Sequence, residues 1–328
     1  MLRSMDSAVA GLRAHQNKMD VIGHNLANVN TFGFKAQTYT FKEAMYQTST
    51  ASTGGTEDAG GSNAAQYGYG TLMGTIGVDM TASTPSYVGG LNASINGEGF
   101  YMTSVKKVEA GIAIGGQDAP NLKTAETDWD YTRVGQFSVD SQGYLVDGNG
   151  NFVYGFRAED ENFDEKGVLK EDAKLKPIRI PTGFTAATGG TGEVAEFNED
   201  DPSLKATSVS INKMGQITAT VTDDDKKAHP GVSIGTIAIV TFQNPEGVTK
   251  AGQTYYKAND DDNSGRADVT VPGGEGVASL MSGYIEASNV DLAKEFADMI
   301  MTQRGFQANS KMITVSDEML NELVNMKR

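Results

Sequence analysis

Residues 288–327 read SNVDLAKEFADMIMTQRGFQANSKMITVSDEMLNELVNMK, and their apolar side chains recur with a heptad period. The residues that lie one heptad apart are Leu292, Met299, Phe306, Ile313 and Leu320, and Phe296 and Val324 occupy two intermediate positions. This spacing predicts a helix of about 55 Å with one narrow apolar stripe, as in a coiled coil. We expect Ser288 or Asn289 to cap its start, with an acidic residue in the first turn.

The first thirty residues carry a similar stripe. Its apolar members are three, four or seven residues apart, and they are Leu2, Met5, Val9, Leu12, Met19, Ile22 and Leu26. The pattern predicts a second helix with a narrow apolar face. Asn28, Asn30 and Thr31, with Gly33 beyond them, predict the end of this helix.

Two narrow apolar stripes at the ends of one chain need a surface to pack against. The economical arrangement pairs the two terminal helices as a coiled coil and packs this pair against further copies of the chain. We expect the termini to become ordered on assembly, where contacts between subunits offset an ordering cost of roughly 1–2 kcal/mol per residue. The alternative is a two-helix appendage on a monomeric protein.

Between the helices the apolar period changes to two, which is typical of strands. Residues 135–140 lead through a Ser-Gln-Gly turn into 144–146, and the Asp-Gly-Asn-Gly stretch at 147–150 leads into 151–154. These stretches predict short hairpins, and further strands are predicted at 216–222 and 236–242. The middle of the chain is therefore predicted to be mainly antiparallel β.

These patterns predict a mixed, discontinuous multi-domain protein. Residues 1–35 and 286–328 form the terminal helical domain, and residues 36–71, which are rich in Ser, Thr, Gly and Ala, form a flexible connector. Residues 72–157 and 209–285 form the β-rich middle domain. The acidic and irregular residues 158–208 form a small outer insert or long loops.

Composition excludes several classes of partner and site. The chain has 328 residues and a formal net charge of −15, so we expect neither nucleic acid nor a membrane surface as a partner. It has no cysteine, which excludes disulfides and thiolate metal ligands. It has no run of about 18 apolar residues and no apolar region near Met1, so we expect neither a membrane span nor a cleaved signal peptide.

Residues with catalytic or ligating chemistry do not form a recognisable motif. His15 and His24 would lie on opposite sides of a helix, and His229 precedes Pro230 in a polar stretch. Residues 260–265 resemble the first half of a calcium loop, but Val271 stands where that loop needs a glutamate. We therefore expect a protein that is not an enzyme, with no catalytic residue, metal or cofactor. The tyrosines leave a secreted carbohydrate-binding β protein as a remote alternative.

Two stretches resemble signatures of the bacterial flagellar rod and hook axial proteins: NLANVNTFGFK at residues 25–35, and SNVDL at 288–292 followed by QRGFQAN at 303–309. The residues that carry the resemblance are Asn25, Asn28, Thr31, Gly33, Phe34, Asn289, Asp291, Gln303, Arg304, Gln307 and Asn309. Residues 96–101, 131–137 and 143–146 are similar to the β domain that this family shares. The resemblance implies a structural subunit whose terminal helices form an inner tube, with the β domain around it.

Within this family, residues 1–5, 241–247 and 289–292 are closer to hook subunits than to distal rod subunits. The resemblance implies a helical homopolymer that forms the hook, a curved universal joint that transmits torque from rod to filament. Its partners would be further copies of the chain, the distal rod protein, the hook cap and the hook–filament junction proteins. It also implies passage through the flagellar type III export apparatus without cleavage, and an extracellular location. The alternative is the distal rod protein, a rigid drive shaft.

Overall fold

The computed structural model describes residues 2–55, 60–108, 111–113, 128–157, 162, 169–170, 173–180, 205–222, 228–258, 263–274 and 278–326. Within these ranges, the side chains of residues 2, 113, 205–207, 221–222 and 228–230 are not described. Most of the predicted insert at 158–208, residues 260–262 of the calcium-like stretch, and the side chains of Leu2 and His229 therefore lie outside the description. The chain separates into two compact units.

The first unit, called the helical unit, comprises Met1–Asn30, Lys35–Asp79 and Val290–Arg328. Its elements are α1 (Leu2–Ala27), β1 (Gln37–Glu43), β2 (Tyr46–Thr50), β3 (Ala65–Gly68), β4 (Thr71–Val78) and α2 (Leu292–Met326). Both helices were predicted, and α1 ends where Asn28 and Thr31 indicated. The cap of α2 differs from the prediction. Asp291, and not Ser288 or Asn289, accepts hydrogen bonds at Oδ1 from the backbone amides of Ala293 (2.9 Å) and Lys294 (3.3 Å).

Strands β1 to β3 lie in the segment 36–71 that was predicted as a flexible connector, and together with β4 they form one antiparallel ribbon. β1 pairs with β4 from Gln37–Val78 to Glu43–Thr71, and β2 pairs with β3 from Tyr46–Gly68 to Thr50–Ala65. The amides of Ala44 and Tyr69 donate to Gly70 and Met45 and join the two pairs. The Ser, Thr and Gly composition did not indicate this β ribbon, which continues past residue 71 to Val78.

The second unit, called the sheet unit, comprises Thr31–Phe34 and Met80–Asn289. Its first strands are β5 (Pro85–Tyr87), β6 (Ala93–Asn96), β7 (Phe100–Ser104), β8 (Ile112–Ala113), β9 (Asp130–Thr132), β10 (Phe137–Val139), β11 (Leu145–Asp147), β12 (Phe152–Arg157) and β13 (Lys174–Pro177). The remaining strands are β14 (Lys205–Ile211), β15 (Gln216–Thr222), β16 (Ala228–Ile237), β17 (Ile239–Phe242), β18 (Thr249–Gly252), β19 (Tyr255–Lys257), β20 (Ala267–Thr270), β21 (Ser279–Ser282) and β22 (Tyr284–Glu286). A short 3-10 turn spans Pro245–Gly247.

Fourteen of these described strands belong to one antiparallel sheet, whose main path runs β14-β15-β16-β12-β7-β9-β19-β18. β6 pairs with β21 and β5 pairs with β22 outside this sheet. The predicted hairpins are present, because β10 pairs with β11 and β11 with β12. The predicted strand at 216–222 is β15, whereas the one predicted at 236–242 is divided at Ala238 between β16 and β17. The mainly antiparallel β middle is therefore confirmed.

Strand β7 shows how this sheet forms a core on both of its faces. Successive side chains of a strand point to opposite faces. Tyr101 belongs to one apolar cluster, with Leu145, Ile217 and Ile239, while Phe100 and Met102 belong to another. All five residues of β7 are buried, so it lies at the centre of the unit. Trp129, for which the sequence indicated no role, packs edge-on against Tyr154 in the second cluster.

Part of the predicted insert at 158–208 belongs to this sheet. β13 pairs with β12 and β8, and the Leu175 and Ile178 side chains are fully buried. Lysines alternate with the apolar residues of this short stretch, and acidic residues flank it, so its strand pattern was not recognised. The remainder of the predicted insert stays a prediction.

A buried ion pair between Arg133 and Glu286 joins two distant parts of the chain within the sheet unit. Arg133 Nε lies 2.8 Å from Glu286 Oε2, and both side chains are almost fully buried. The Arg133 guanidinium also donates to the carbonyl oxygens of Gly97 (2.8 Å) and Gly99 (3.0 Å), and Glu286 Oε1 accepts from the amide of Ser83. Since both charges have several hydrogen-bond partners, this pair meets the condition under which a buried ion pair is tolerated.

Among the described residues, the structure contains no helix that combines the length and hydropathy of a membrane-spanning segment.

Replacing Glu286 with glutamine tests the importance of this ion pair. The substitution keeps the shape of the side chain but leaves the buried Arg133 cation without its counter-charge, so we expect the free energy of unfolding to fall by about 3 kcal/mol or more. The fluorescence of Trp129, the single tryptophan, reports unfolding of the sheet unit in a denaturant titration. The control Glu246→Gln, at an exposed carboxylate, should change stability by less than about 0.5 kcal/mol. Equal effects of the two changes would contradict the assignment.

Candidate assembly interface

The two terminal helices contact each other through small and polar side chains. Four places define this polar seam: Gly11 against Asn309, His15 against Gly305, Lys18 against Asp298, and Asn25 against Glu295. Successive contacts advance along α1 and go backwards along α2, so the helices are antiparallel. Lys18 Nζ lies 3.7 Å from Asp298 Oδ1, and Asn25 Nδ2 donates to Glu295 Oε1 over 3.0 Å.

The residues of the polar seam are three, four or seven positions apart on each helix. Glu295, Asp298, Gly305 and Asn309 follow this spacing, with the buried Thr302 between them. Such spacing places side chains on one face of a helix and is also the spacing of coiled coils. The helices therefore lie side by side, whereas their winding into a coiled coil stays a prediction.

Two glycines let the helix backbones approach closely. A methyl group at Gly305 would lie 2.6 Å from His15 Cε1, and one at Gly11 would lie 2.7 Å from Asn309 Nδ2. Both distances are too short for ordinary carbon contacts. The His15 ring therefore occupies space that only a glycine at position 305 leaves open.

Asn25, one of the signature residues, connects three elements of the helical unit. Its side-chain amide donates to the carbonyl of Gln37 (2.8 Å) and to Glu295, and its Oδ1 accepts from the amide of Gln37 (2.9 Å). Asn25 is only 1% exposed, so its polar atoms need these partners. One side chain thereby holds α1, β1 and α2 together.

The β ribbon covers another face of α1. A methyl group at Gly70 would lie 3.1 Å from Ser7 Cα, and the Phe41 ring lies 5.3 Å from the His15 ring in an edge-to-face arrangement. Arg3 Cζ lies 5.6 Å from the centre of the Tyr67 ring. An isolated two-stranded ribbon is marginally stable in water, so packing on α1 explains why this one forms.

Of the apolar residues that were predicted to form the interface, Ile22 lies between Lys18 and Asn25 on the face of α1 that carries the polar seam, and the others lie beside this face. Ile22 is buried, and the half-buried ones are Met5, Leu12, Met19, Leu26, Met299, Phe306, Ile313 and Leu320. Val9 (39%), Leu292 (43%), Phe296 (50%) and Val324 (66%) are exposed, and the side chain of Leu2 lies outside the description. Both stripes are therefore partly or wholly available for other contacts, and their role in assembly stays a prediction.

Helix α2 exposes further apolar side chains that the heptad pattern missed. This outer apolar set comprises Ile300, Met301, Met312, Met319, Leu323 and Met326, all of them about half exposed or more. These residues lie outside the narrow heptad stripe, so the heptad pattern did not indicate them. Marking every apolar residue of the helix would have found them. Large exposed apolar surfaces on a folded protein mark interaction sites.

Three other signature residues of the helical unit make contacts that stabilise the helices or their ends. The Asn28 side-chain amide donates to the carbonyl of His24 (2.9 Å) at the end of α1, Asp291 caps α2, and Asn309 lies in the polar seam. Gln303, Arg304 and Gln307 are exposed on α2.

Three signature residues form a connecting turn at the edge of the sheet unit. The amide of Gly33 donates to the carbonyl of Glu286 (2.8 Å), and the amide of Asn289 donates to the carbonyl of Phe34 (3.4 Å). Gly33 has φ +68°, and a methyl group there would lie 2.7 Å from Val134 Cγ2, so other residues fit poorly. Lys250 Nζ lies 4.6 Å from the centre of the Phe34 ring, and burial lowers the pKa of Lys250 to about 8.

A cleft of about 350 Å³ in the sheet unit is lined by Thr31 and Phe32 and by the polar side chains of Asp147, Asn149 and Tyr255. These polar groups bind one another, since the Tyr255 hydroxyl donates to Asp147 and the Asn149 amide donates to Tyr255 (2.9 Å). Within the described part of the chain, no three His, Asp or Glu side chains are grouped to hold a metal ion.

Two glycine-to-alanine changes separate packing in the polar seam from helix propensity. Gly23 in α1 has no neighbour that a methyl group would meet, so Gly23→Ala should raise stability by up to about 1 kcal/mol. Gly305→Ala gains the same propensity but pushes against the His15 ring, so we expect a net loss of about 1–3 kcal/mol. Thermal unfolding followed by far-UV circular dichroism measures both, because the two helices dominate that signal. A stabilising Gly305→Ala would contradict the close contact.

Models of three protein families match the chain. They are described as "Flagella basal body rod protein" at residues 5–35, "Flagellar hook protein FlgE/F/G D1 domain" at 113–219 and "Flagellar basal body rod FlgEFG protein C-terminal" at 281–326. The first and last of these matches include nearly all of α1 and α2.

Individual relatives extend the similarity to the whole length. The flagellar basal-body rod protein FlgG of Bacillus subtilis (strain 168) is 37% identical over 330 residues, which cover all of both chains. The flagellar hook protein FlgE of Borreliella burgdorferi is 26% identical over 470 residues, and FlgG of the same organism is 28% identical over 330, each with full coverage of both chains. The chain therefore belongs to the family of flagellar rod and hook axial proteins.

Proposed function

We propose that this protein is a structural subunit that polymerises into the tube of the flagellar hook and that it has no enzymatic activity. The observation that carries the proposal is the large number of apolar side chains that α2 leaves exposed. Ile300 (59%), Met301 (61%) and Val324 (66%) are examples. Further copies of the chain supply the surface that covers them.

The energies involved are sufficient for assembly. Full burial of one large apolar side chain contributes about 1.5–3 kcal/mol. α2 alone exposes the outer apolar set together with Leu292, Phe296 and Val324. Even partial burial of these side chains in each subunit is enough to offset the loss of translational and rotational freedom, for which estimates start at about 4 kcal/mol.

The polar seam and the apolar stripes then have separate tasks in this proposal. The polar seam joins the helices within one subunit, and the apolar stripes join subunits, in the manner of a coiled-coil inner tube. The β ribbon belongs with the helices. Because the chain carries a net charge of −15, outer contacts between subunits would be wet and weak, as a bending tube requires.

The assignment to the hook rests on the residues that resemble hook subunits at 1–5, 241–247 and 289–292. In the hook, the partners would be the distal rod protein, the hook cap and the hook–filament junction proteins. The chain would reach its extracellular place through the type III export apparatus without cleavage. Neither nucleic acid nor a membrane is expected as a partner.

The distal rod protein is the second candidate, and two observations favour it. The rod protein of Bacillus subtilis aligns over 330 residues, about the length of this chain, whereas hook proteins align over 470 and 486. Residues 37–78 also form paired strands in place of the flexible connector that was predicted, and this order suits a rigid shaft more than a flexible joint.

Substitution of aspartate for Phe306, and separately for Phe296, tests the role of the apolar stripe. A carboxylate has to lose its hydration on burial between subunits, so we expect both variants to remain in the supernatant when the wild-type protein forms sedimenting tubes. The control Thr314→Asp places the same charge at an exposed polar position of α2 and should leave tube formation intact. Normal tubes from both phenylalanine variants, with unchanged circular dichroism, would exclude the stripe from the interface.

Electron microscopy of basal bodies from cells that lack this chain distinguishes the two candidates. Complete rods without hooks would support the hook assignment, and shortened rods would support the distal rod. Normal rods and hooks would contradict both. In that case, binding of glycans by a purified subunit that does not polymerise would support the remote alternative of a carbohydrate-binding protein.

A further inference from the structure

His15 lies where three elements of the helical unit meet. On α1 it occupies the polar seam, with its ring against Gly305 of α2, where a methyl group would lie 2.6 Å from Cε1 and 2.7 Å from Nε2. On the other side its ring lies 5.3 Å from the Phe41 ring of β1. Among the described residues, Nδ1 of this ring is buried and has no hydrogen-bond partner. The ring is thus confined by packing but is not held by hydrogen bonds at Nδ1.

The charges around His15 do not favour a second positive charge. Lys18 lies one turn further along α1, and its ammonium group lies 3.7 Å from Asp298, the acidic residue of α2 in this part of the seam. Glu295 of α2, which is half-buried, accepts a hydrogen bond from Asn25. The other charged residues of the two elements packed against the ring are all exposed: Lys294, Arg304, Lys311, Asp317, Glu318 and Glu322 on α2, and Lys42 and Glu43 on β1. The side chain of β1 that contacts the ring is Phe41, which carries no charge.

A proton on Nδ1 would therefore create a buried donor without an acceptor, close to the Lys18 ammonium. Burial first, and the charge of Lys18 second, lower the pKa of His15 from its usual value of 6.5. A group whose pKa is lowered in the folded state gives stability that is complete above its unfolded value and is lost as the pH falls through the folded value. For His15, the loss begins below pH 6.5.

We propose that His15 is the acid-sensitive element of the helix pair, and that its protonation separates α1 from α2 along the polar seam. This is a property of one subunit, and it holds whether the chain forms hook, rod or neither. In an assembled tube, mild acid would loosen the contact inside each subunit before it acted on the apolar contacts between subunits, which do not titrate.

Hydrogen exchange of the full-length protein, followed by mass spectrometry from about pH 7.5 to about pH 5, tests the proposal in a range above the ordinary pKa of carboxylates. Rates are corrected for the intrinsic dependence of exchange on pH. We expect peptides of α1 and α2 to exchange about tenfold faster at the acidic end, which corresponds to a loss near 1.4 kcal/mol. His15→Gln should abolish this response, because glutamine does not titrate. His24→Gln, at an exposed histidine of the same helix, should keep it.

Three results would overturn the proposal: an acid response in His15→Gln equal to that of the wild type, no acid response in the wild type, or no protection of α1 in the wild type at neutral pH. A second measurement uses only the wild-type protein, so it remains valid if His15→Gln disturbs the packing. In NMR spectra of the protein with labelled histidines, the His15 ring has to titrate in the same pH range in which α1 loses protection. Titration of His15 outside that range would also overturn the proposal.

Discussion

The close approach of the His15 ring to Gly305 determines how the two terminal helices pack. The backbones meet over glycines and over polar side chains that pair with one another. Among the described members of the two apolar stripes, only Ile22 is buried, and the others remain half-buried or exposed. A pair of helices that used its apolar stripes internally would be more stable as a monomer, but it would have little left with which to bind a second copy.

The sheet unit, in contrast to the helix pair, is stabilised by a buried apolar core of its own. Its sheet buries apolar clusters on both faces, and the ion pair between Arg133 and Glu286 ties β22 to the strands near the middle of the chain. Removal of one partner would leave a buried charge, so the ion pair makes this part of the fold intolerant of change. The connecting turn at Gly33 hydrogen-bonds to the backbone of the same Glu286. The position of the signature residue Gly33 therefore depends on Glu286, a residue of the buried interior.

The elements were easier to predict from the sequence than the contacts. Heptad and period-two patterns located both helices and the hairpins around β10, β11 and β12, since these patterns depend only on local geometry. The same patterns did not show which helix face meets the other helix, because Gly11, Gly305 and Asn25 are not hydrophobic and do not contribute to an apolar stripe. The β ribbon was not predicted because its Thr and Gly residues have the composition of a linker. The sequence does not show that α1 covers one face of the ribbon. The helix cap was predicted at Ser288 or Asn289 instead of Asp291 because all three residue types are able to cap a helix.

The outer apolar set of α2 is rich in methionine: Met301, Met312, Met319 and Met326. Methionine is unbranched and polarizable, so one such row can fit neighbours of different shape without a change of sequence. This would suit the proposed tube if the neighbours of a subunit are not all arranged alike. The same thioethers are exposed to oxidants in the free subunit, and a sulfoxide is polar. In the proposed assembly, oxidation of these methionines would therefore weaken the contacts between subunits.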